Sequence, residues 1–352
     1  MIRFRKEEKA MKNNTSRILI ETIIRKTLND IRESPERSIR NLVDMGLHFA
    51  NGRFQHSFLE MTQTMLQTPN SSYYKLISDM AYHVDPERIL RFGMNVGYNG
   101  FTIGAKKIRE IEKKELYNIP WIISLHLSPN FFAGNIQKYQ SLISQGENMG
   151  IYTWMLFPDS QPQIFLPLIG KHPDSAFILF CNPEDITSSF LNDIFEYTNL
   201  MLAIQYKESA SVACGLLRKA NLLYSVYYCY HAADLNSIIG GELFSKTQQL
   251  HPIFTVLLSA PECSDTIKNQ VYHSVRQTRT LQKFHTIIWE IFYDSNSIDG
   301  IISNDSCFAS FSSQGNLMYL PVSKTEKPLT FFHNDLSYIL RAAFPKQKKD
   351  FS

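Results

Sequence analysis

Between about residues 91 and 304 the hydrophobic pattern cycles eight times through one order: a short apolar run, a polar loop, and a longer stretch with helical spacing. The strand-like runs are 92–98, 121–127, 151–157, 176–181, 200–206, 222–230, 252–258 and 300–304. Each is nearly continuous in β-branched, aliphatic or aromatic residues and is bounded by Pro, Gly, Asn, Asp or Ser. Strands buried on both faces read this way, and parallel sheets covered by helices bury both faces. The helical stretches between the runs are 101–116, 136–149, 164–171, 186–197, 209–219, 235–249 and 264–292. The alternation predicts an α/β chain, a (β/α) TIM-type barrel of about eight units.

Residues 14–90 follow another pattern. Apolar residues recur at helical spacing in four segments, 15–33, 34–54, 55–67 and 71–83. Thr15 or Ser16 suits the first N-cap; Ser34 followed by Pro35 and Glu36 suits the second. The expected organisation is a disordered tail over 1–13, a small N-terminal helical domain over 14–90, and the barrel over 91–305. A C-terminal hairpin turning at Gln314-Gly315-Asn316 and a helix over 334–343 occupy 306–345, and a basic tail ends the chain at 346–352. The helical domain is expected to cap the bottom or side of the barrel, or to join two copies as a homodimer. A DNA reader is the alternative, although no basic recognition helix stands out.

Composition narrows the partners. With 36 Lys and Arg against 33 Asp and Glu the net charge is +3, too near balance to argue for nucleic acid. No run of about 18 apolar residues is present, so no membrane partner is expected, and the N-terminus has no apolar secretory region. The five cysteines, Cys181, Cys214, Cys229, Cys263 and Cys307, form no CxxC pair and no disulfide framework. A cytoplasmic location is the expectation.

In a barrel, functional groups gather at the carboxyl ends of the strands. The loop expected after the first strand carries the ligand-binding candidates Asn95, Gly97, Tyr98, Asn99, Gly104, Lys106 and Arg109. Glycines admit close backbone approach, and a helix start with free N–H groups and nearby cations suits phosphate or carboxylate. The bland reading of the same glycines is a tight turn and close helix packing. Catalytic candidates at later strand ends are His126, Asp159, Lys207, His231 and Glu262, as proton donors or acceptors. Lys207 stands where a Schiff-base amine would, without a second aldolase signature. His126, His231 and Asp159 could share a metal ion, and Cys181, Cys229, Cys263 and Cys307 fall near strand ends where thiols could hold a metal or cluster. Hydrogen-bonded rim residues and small buried hydrophobes are the plainer readings, and no metal ligand is assigned.

The order of a helical preface, then LRFGMNVGYNGFTIGAKKIREIE, IPWIISLHLSP and GIYTWMLFP, and late in the chain DGIISNDSCFASFSSQGNLMYLP, resembles the radical S-adenosylmethionine (radical SAM) superfamily over roughly residues 90–320. That resemblance implies a barrel with S-adenosylmethionine at its mouth and a [4Fe–4S] cluster held by CxxxCxxC after the first strand. Here the loop read at that place, 98–104, contains no Cys. The Gly-Gly-Glu that the superfamily places after strand two is absent near 126–130; Gly240-Gly241-Glu242 lies in a later helix. The cluster is therefore not expected, while S-adenosylmethionine stays open as a ligand. The leading expectation is a radical SAM-like barrel that has lost its cluster and serves as a binding, scaffold or accessory protein for a small molecule or peptide. The alternatives are a barrel enzyme using strand-end polar residues, and a regulatory module whose N-terminal helices contact a partner or nucleic acid.

Overall fold

The computed structural model describes residues 2–31, 33–49, 53–68, 71–303, 305–318 and 328–346. It begins with the helices α1 (Ile2–Ile31), α2 (Pro35–Phe49), α3 (Arg53–Leu66), α4 (Ser72–His83) and α5 (Pro86–Met94). A π-helix, Asn95–Gly104, carries α5 without a break into α6 (Ala105–Glu115). Two of these starts follow from local chemistry. Ser71 accepts the N–H of Tyr73 at the head of α4, and Asp85 accepts from Glu87 and Arg88 with Pro86 in the first turn of α5. Helix α1 runs through the stretch read as a tail. Among the described residues no helix is long and apolar enough to cross a membrane.

The sheet is built from β1 (Ile122–Leu127), β2 (Thr153–Pro158), β3 (Ala176–Cys181), β4 (Leu200–Gln205), β5 (Tyr224–Tyr230), β6 (Phe254–Ser259), β7 (Ile287–Glu290) and β8 (Ala309–Phe311). Every pairing is parallel, in the order β7-β6-β5-β4-β3-β2-β1-β8. The sheet curls into a half-barrel surrounded by helices: α7 (Pro129–Met149), α8 (Leu166–Lys171), α9 (Ser188–Ile194), α10 (Ala210–Lys219), α11 (Leu235–Ile239), α12 (Glu242–Thr247), α13 (Asp265–Thr280), α14 (Ile291–Ser303) and α15 (Leu336–Ala343).

Six expected runs, from 121–127 to 252–258, coincide with β1–β6 to within a few residues. The other two are corrected. Residues 92–98 are helical, in α5 and the π-helix, and 300–303 close α14, with 304 outside the described residues. The seventh strand lies inside the stretch read as one helix over 264–292. Helix α13 stops at Thr280, the chain turns through Gln282 at φ +50°, and Ile287-Ile288-Trp289-Glu290 leaves as β7. The eighth strand comes from the expected hairpin. Gly315, at φ +76°, makes its turn, and Ser312 N–H to Asn316 (2.8 Å) and Met318 N–H to Ser310 (2.7 Å) hold it. Of the expected basic tail only Lys346 is described; it meets Glu112 at 2.9 Å, and 347–352 lie outside the described residues.

Which face of the sheet looks inward follows from one contact. Gly146 of α7 lies under Trp154, so close that a Cβ there would stand 2.5 Å from the ring. Trp154 therefore faces the helices, and Thr153, Met155 and Phe157 face the inside. Register extends this across the sheet, placing Ile178, Met201, Leu223 and Phe254 on the inner face too. At the amino ends of the strands these residues pack against Met80, Val84, Ile89 and Phe92 of α4, α5 and the turn between them. Phe101 and Trp289 both contact Trp121, at 5.1 and 6.5 Å between ring centroids. The segment expected to be the first strand thus forms the floor of the half-barrel. Phe92 packs against the sheet while Met94 and Tyr98 pack with Ile20 and Ile24 of α1, so the segment is covered on both sides, as a strand would be.

Candidate ligand-binding mouth of the half-barrel

The floor fixes the positions of the first group of sequence candidates. Asn95 donates to the carbonyls of Pro173 and Ser175, both at 2.9 Å, and Asn99 donates to Asn95 and to the carbonyl of Asp174. Both side chains tie the π-helix to the turn before β3. Gly104 meets the loop before β2: a Cβ would stand 2.3 Å from the Gly150 carbonyl oxygen, so only glycine fits without backbone movement. Gly97 has nothing within 4 Å of where a Cβ would be, and Tyr98 is buried with Leu90 and Met94. Lys106 is exposed and Arg109 half-buried on α6. These residues sit at the amino ends of the strands, away from the carboxyl-end mouth, and the packing reading of Gly104 holds.

At the mouth the second group divides into rim and interior. Asp159 is exposed and accepts from Ser160. Lys207 and Glu184 form an ion pair at 2.6 Å across the ends of β4 and β3, and Ser209 adds a hydrogen bond of 2.7 Å. Their contacts draw the Glu184 carboxyl down to about 2. His231 Nδ1 meets Glu262 Oε1 at 2.5 Å, linking the ends of β5 and β6, while Asp234 accepts the backbone N–H of His231. Glu262 is held below its usual range, first by a backbone hydrogen bond and then by His231.

His126 alone among the catalytic candidates lies on the inner face. Its ring stacks on Phe157 at 5.1 Å, Phe157 stacks on Phe180 at 4.0 Å, and Phe180 meets Tyr227 edge-on at 5.1 Å. Gln205, Cys229 and Leu258 share the face by register and are half-buried, as are His126, Phe157 and Tyr227. Burial lowers the His126 pKa and favours the neutral imidazole, and burial pushes the Tyr227 phenol up to about 12. Phe157, Phe180, Gln205 and Tyr227 were missed in the sequence reading, which looked at the loops. The available signal was alternation: counting back by twos from each strand end marks them as inward.

The thiols do not converge. Cys181 points to the helix side, in step with Phe177 and Leu179, while Cys229 is on the inner face. Cys263 donates to the Tyr230 carbonyl and Cys307 is buried ahead of β8. Among the described residues no three His, Cys, Asp or Glu side chains form a metal-binding group, so neither shared-ion arrangement raised from the sequence is brought together.

No family model matches the chain, and no curated protein matches it. Solved structures do. The half-barrel is similar to SuiB of Streptococcus suis, a radical SAM enzyme, in its structure bound to S-adenosylmethionine: 11% identity, TM-score 0.50, covering 67% of this chain and 66% of that one. SuiB bound to its precursor peptide SuiA matches at 11% identity and TM-score 0.49, covering 67% of each chain. The match in the first comparison spans just under two thirds of SuiB. The likeness shows a radical SAM-like fold.

Proposed function

We propose that this chain is a radical SAM-like half-barrel that works without an iron–sulfur cluster, as a binding or accessory protein. One observation carries the reading. With the strands in place, the first strand is followed by Ser128 and directly by the first turns of α7, Pro129-Asn130-Phe131-Phe132-Ala133-Gly134-Asn135, and this segment holds no thiol. A [4Fe–4S] cluster needs cysteine thiolates. Burial raises the pKa of Cys181 and of Cys307 well above the usual range, which opposes the thiolate they would have to supply. These residues do not fit the cluster.

Anaerobic reconstitution with ferrous iron and sulfide tests this. The expected result is far less iron than one cluster per chain and no broad visible absorption. About four irons per chain with that absorption would overturn the reading. Since SuiB has been seen with S-adenosylmethionine, titration calorimetry with that compound is the companion experiment, and it reports on the mouth whether or not iron binds.

A second reading, a barrel enzyme, is favoured by the contact between His231 and Glu262. A carboxylate on Nδ1 fixes the imidazole and leaves Nε2 free to take a proton at the mouth. Under this reading His231→Ala should lower any turnover measured for the chain by about 100-fold or more. Glu262→Gln should lower it less and shift its pH profile. Because both side chains are exposed, the melting temperature should not move. Undiminished turnover in His231→Ala removes the pair from the chemistry.

A further inference from the structure

Along α4 a cleft of about 680 Å³ opens between that helix and the start of α2, lined by Pro35, Glu36, Lys75, Ser78, Tyr82 and His83. Asp79 and His83 continue it into a second hollow of about 300 Å³, where α4 meets the half-barrel and Arg218, Tyr224 and His251 form the far wall. Lys75, Asp79 and His83 are spaced four apart and share one face of α4. His251 precedes β6 and His285 precedes β7, so the groove runs past the amino ends of the strands, opposite the mouth.

The charges in this groove do not balance. Glu36 is matched by Arg40 at 2.9 Å, and Asp79 takes both guanidinium nitrogens of Arg218, at 2.8 and 2.5 Å. Each carboxylate thus has an arginine of its own, and the Tyr224 hydroxyl is taken up by the Leu250 carbonyl at 2.6 Å. Lys75 and three imidazoles have no such match. His83 Nε2 and His251 Nδ1 stand 3.6 and 3.8 Å from Asp79, beyond a hydrogen bond. Neither Lys75 nor the His285 ring enters an ion pair among the described residues. Burial first, and then the nearness of Lys75 and His251, lowers the His285 pKa, with Asp79 acting the other way. Cationic groups brought together by three separate segments, without a counter-charge, attract an anion into the cleft between them.

We propose that this groove binds a small phosphate monoester, its phosphate held by Lys75, His83, His251 and His285 and its organic part lying along α4 beside Ser78 and Tyr82. The donors arrive from α4, from the loop before β6 and from the turn before β7. A tetrahedral group with three outer oxygens can meet donors from three directions, whereas a carboxylate offers two oxygens in one plane. Two negative charges offset the lysine and a protonated imidazole together. The Asp79–Arg218 pair fixes α4 against α10 behind them and adds no net charge. The cleft lies within the range of small-molecule sites, about 300–1,000 Å³, and is larger than a bare phosphate fills. This site goes beyond the reading of the mouth and is independent of any cluster there.

The test is titration calorimetry on the full chain at pH 7 and constant ionic strength with phenyl phosphate. Benzenesulfonate, the same ring with a single charge, is the control, and phenyl phosphate should bind at least about 10-fold more tightly. Lys75→Met and His251→Asn should each weaken it about 10-fold. Asparagine is chosen because His251 stands at φ +54°, a left-handed conformation that asparagine also adopts. Both side chains are exposed, so the melting curve without ligand should stay in place. Raising the pH to 8 should weaken binding, since histidine loses its charge there while the ester stays doubly charged. Lys75→Met should keep that pH dependence, and the triple variant His83→Gln, His251→Asn, His285→Gln should lose it. Equal binding of benzenesulfonate, unchanged affinity in both single variants, or the same pH dependence in the triple variant would overturn the proposal. Sedimentation of the chain with phosphatidic acid vesicles, without binding of phenyl phosphate, would assign the groove to a membrane surface and overturn it equally. The iron measurement decides the cluster separately, and neither result alters the other.

Discussion

Asp294→Ala should destabilise the fold by about 3–5 kcal/mol, the cost of leaving a largely buried charge without its partner. Asp294 receives both guanidinium nitrogens of Arg279 at 2.8 Å, the hydroxyl of Tyr272 at 3.2 Å and the backbone N–H of Glu290 at 2.9 Å. The side chains of Asp294 and Arg279 are only 7% and 19% exposed, so solvent replaces little of what is lost. The pair joins α13 to the start of α14 and takes up an N–H at the end of β7, the sheet's edge strand. Denaturant unfolding measures the effect. Replacing both partners by apolar residues of similar size, Arg279→Met with Asp294→Leu, should be far less damaging than the single change. A loss below about 1 kcal/mol for Asp294→Ala would mean that the pair contributes little.

Glu290→Gln should do the opposite, by an amount that grows as pH rises above about 4.5 and is complete above neutral pH. Glu290 is fully buried at the end of β7, and that burial is the main cause that raises its pKa from 4.5 to about 7. Tyr293 N–H donates to one carboxyl oxygen at 2.8 Å, and Tyr230 contacts the other at 3.4 Å. Below pH 4.5 the carboxyl is protonated whether the chain is folded or not, and its titration costs nothing. Between pH 4.5 and 7 the unfolded chain releases the proton while the folded chain keeps it, so stability falls as pH rises. Above pH 7 the loss levels off at about 3 kcal/mol. Glutamine keeps the shape, can accept from Tyr293 and cannot ionise. It should match the parent near pH 4 and exceed it by up to about 3 kcal/mol at pH 8. Equal stability differences at the two pH values would show that Glu290 does not titrate with this shift.

These two residues also show where the sequence was readable and where it was not. The runs that became β1–β6 were plain because both sides of each are buried, and such strands are apolar throughout. The same criterion admitted 92–98 wrongly. A helix lying inside a curled sheet is also wetted on neither side, so continuity of apolar residues cannot separate the two. The distinguishing mark was upstream, in Asp85-Pro86-Glu87, which caps and opens a helix. β7 escaped notice because it is short and ends in Glu290 and because α13 runs almost into it; only the turn at Gln282 separates them. For the site, His126 was legible as a strand-end polar residue, and so were His231 and Glu262, which the fold brings into contact. Phe157, Phe180 and Tyr227 lay inside the strand runs 151–157, 176–181 and 222–230 and were not singled out. Their role at the mouth depends on which face of each strand looks inward, and that was settled by Gly146 lying under Trp154 in three dimensions.

The two ends of the sheet, β7 and β8, are not joined by a ladder among the described residues. Trp121 against Trp289 near the floor and Phe292 against Phe308 further along draw the two sides together. In a closed barrel the strand number and stagger set the diameter, and backbone hydrogen bonds hold it. A cylinder slit along its length has no such fixed circumference. Its bore is set by how rings seat against each other, so exchanging one aromatic residue along the slit changes the calibre of the vessel without breaking a single rung of the sheet.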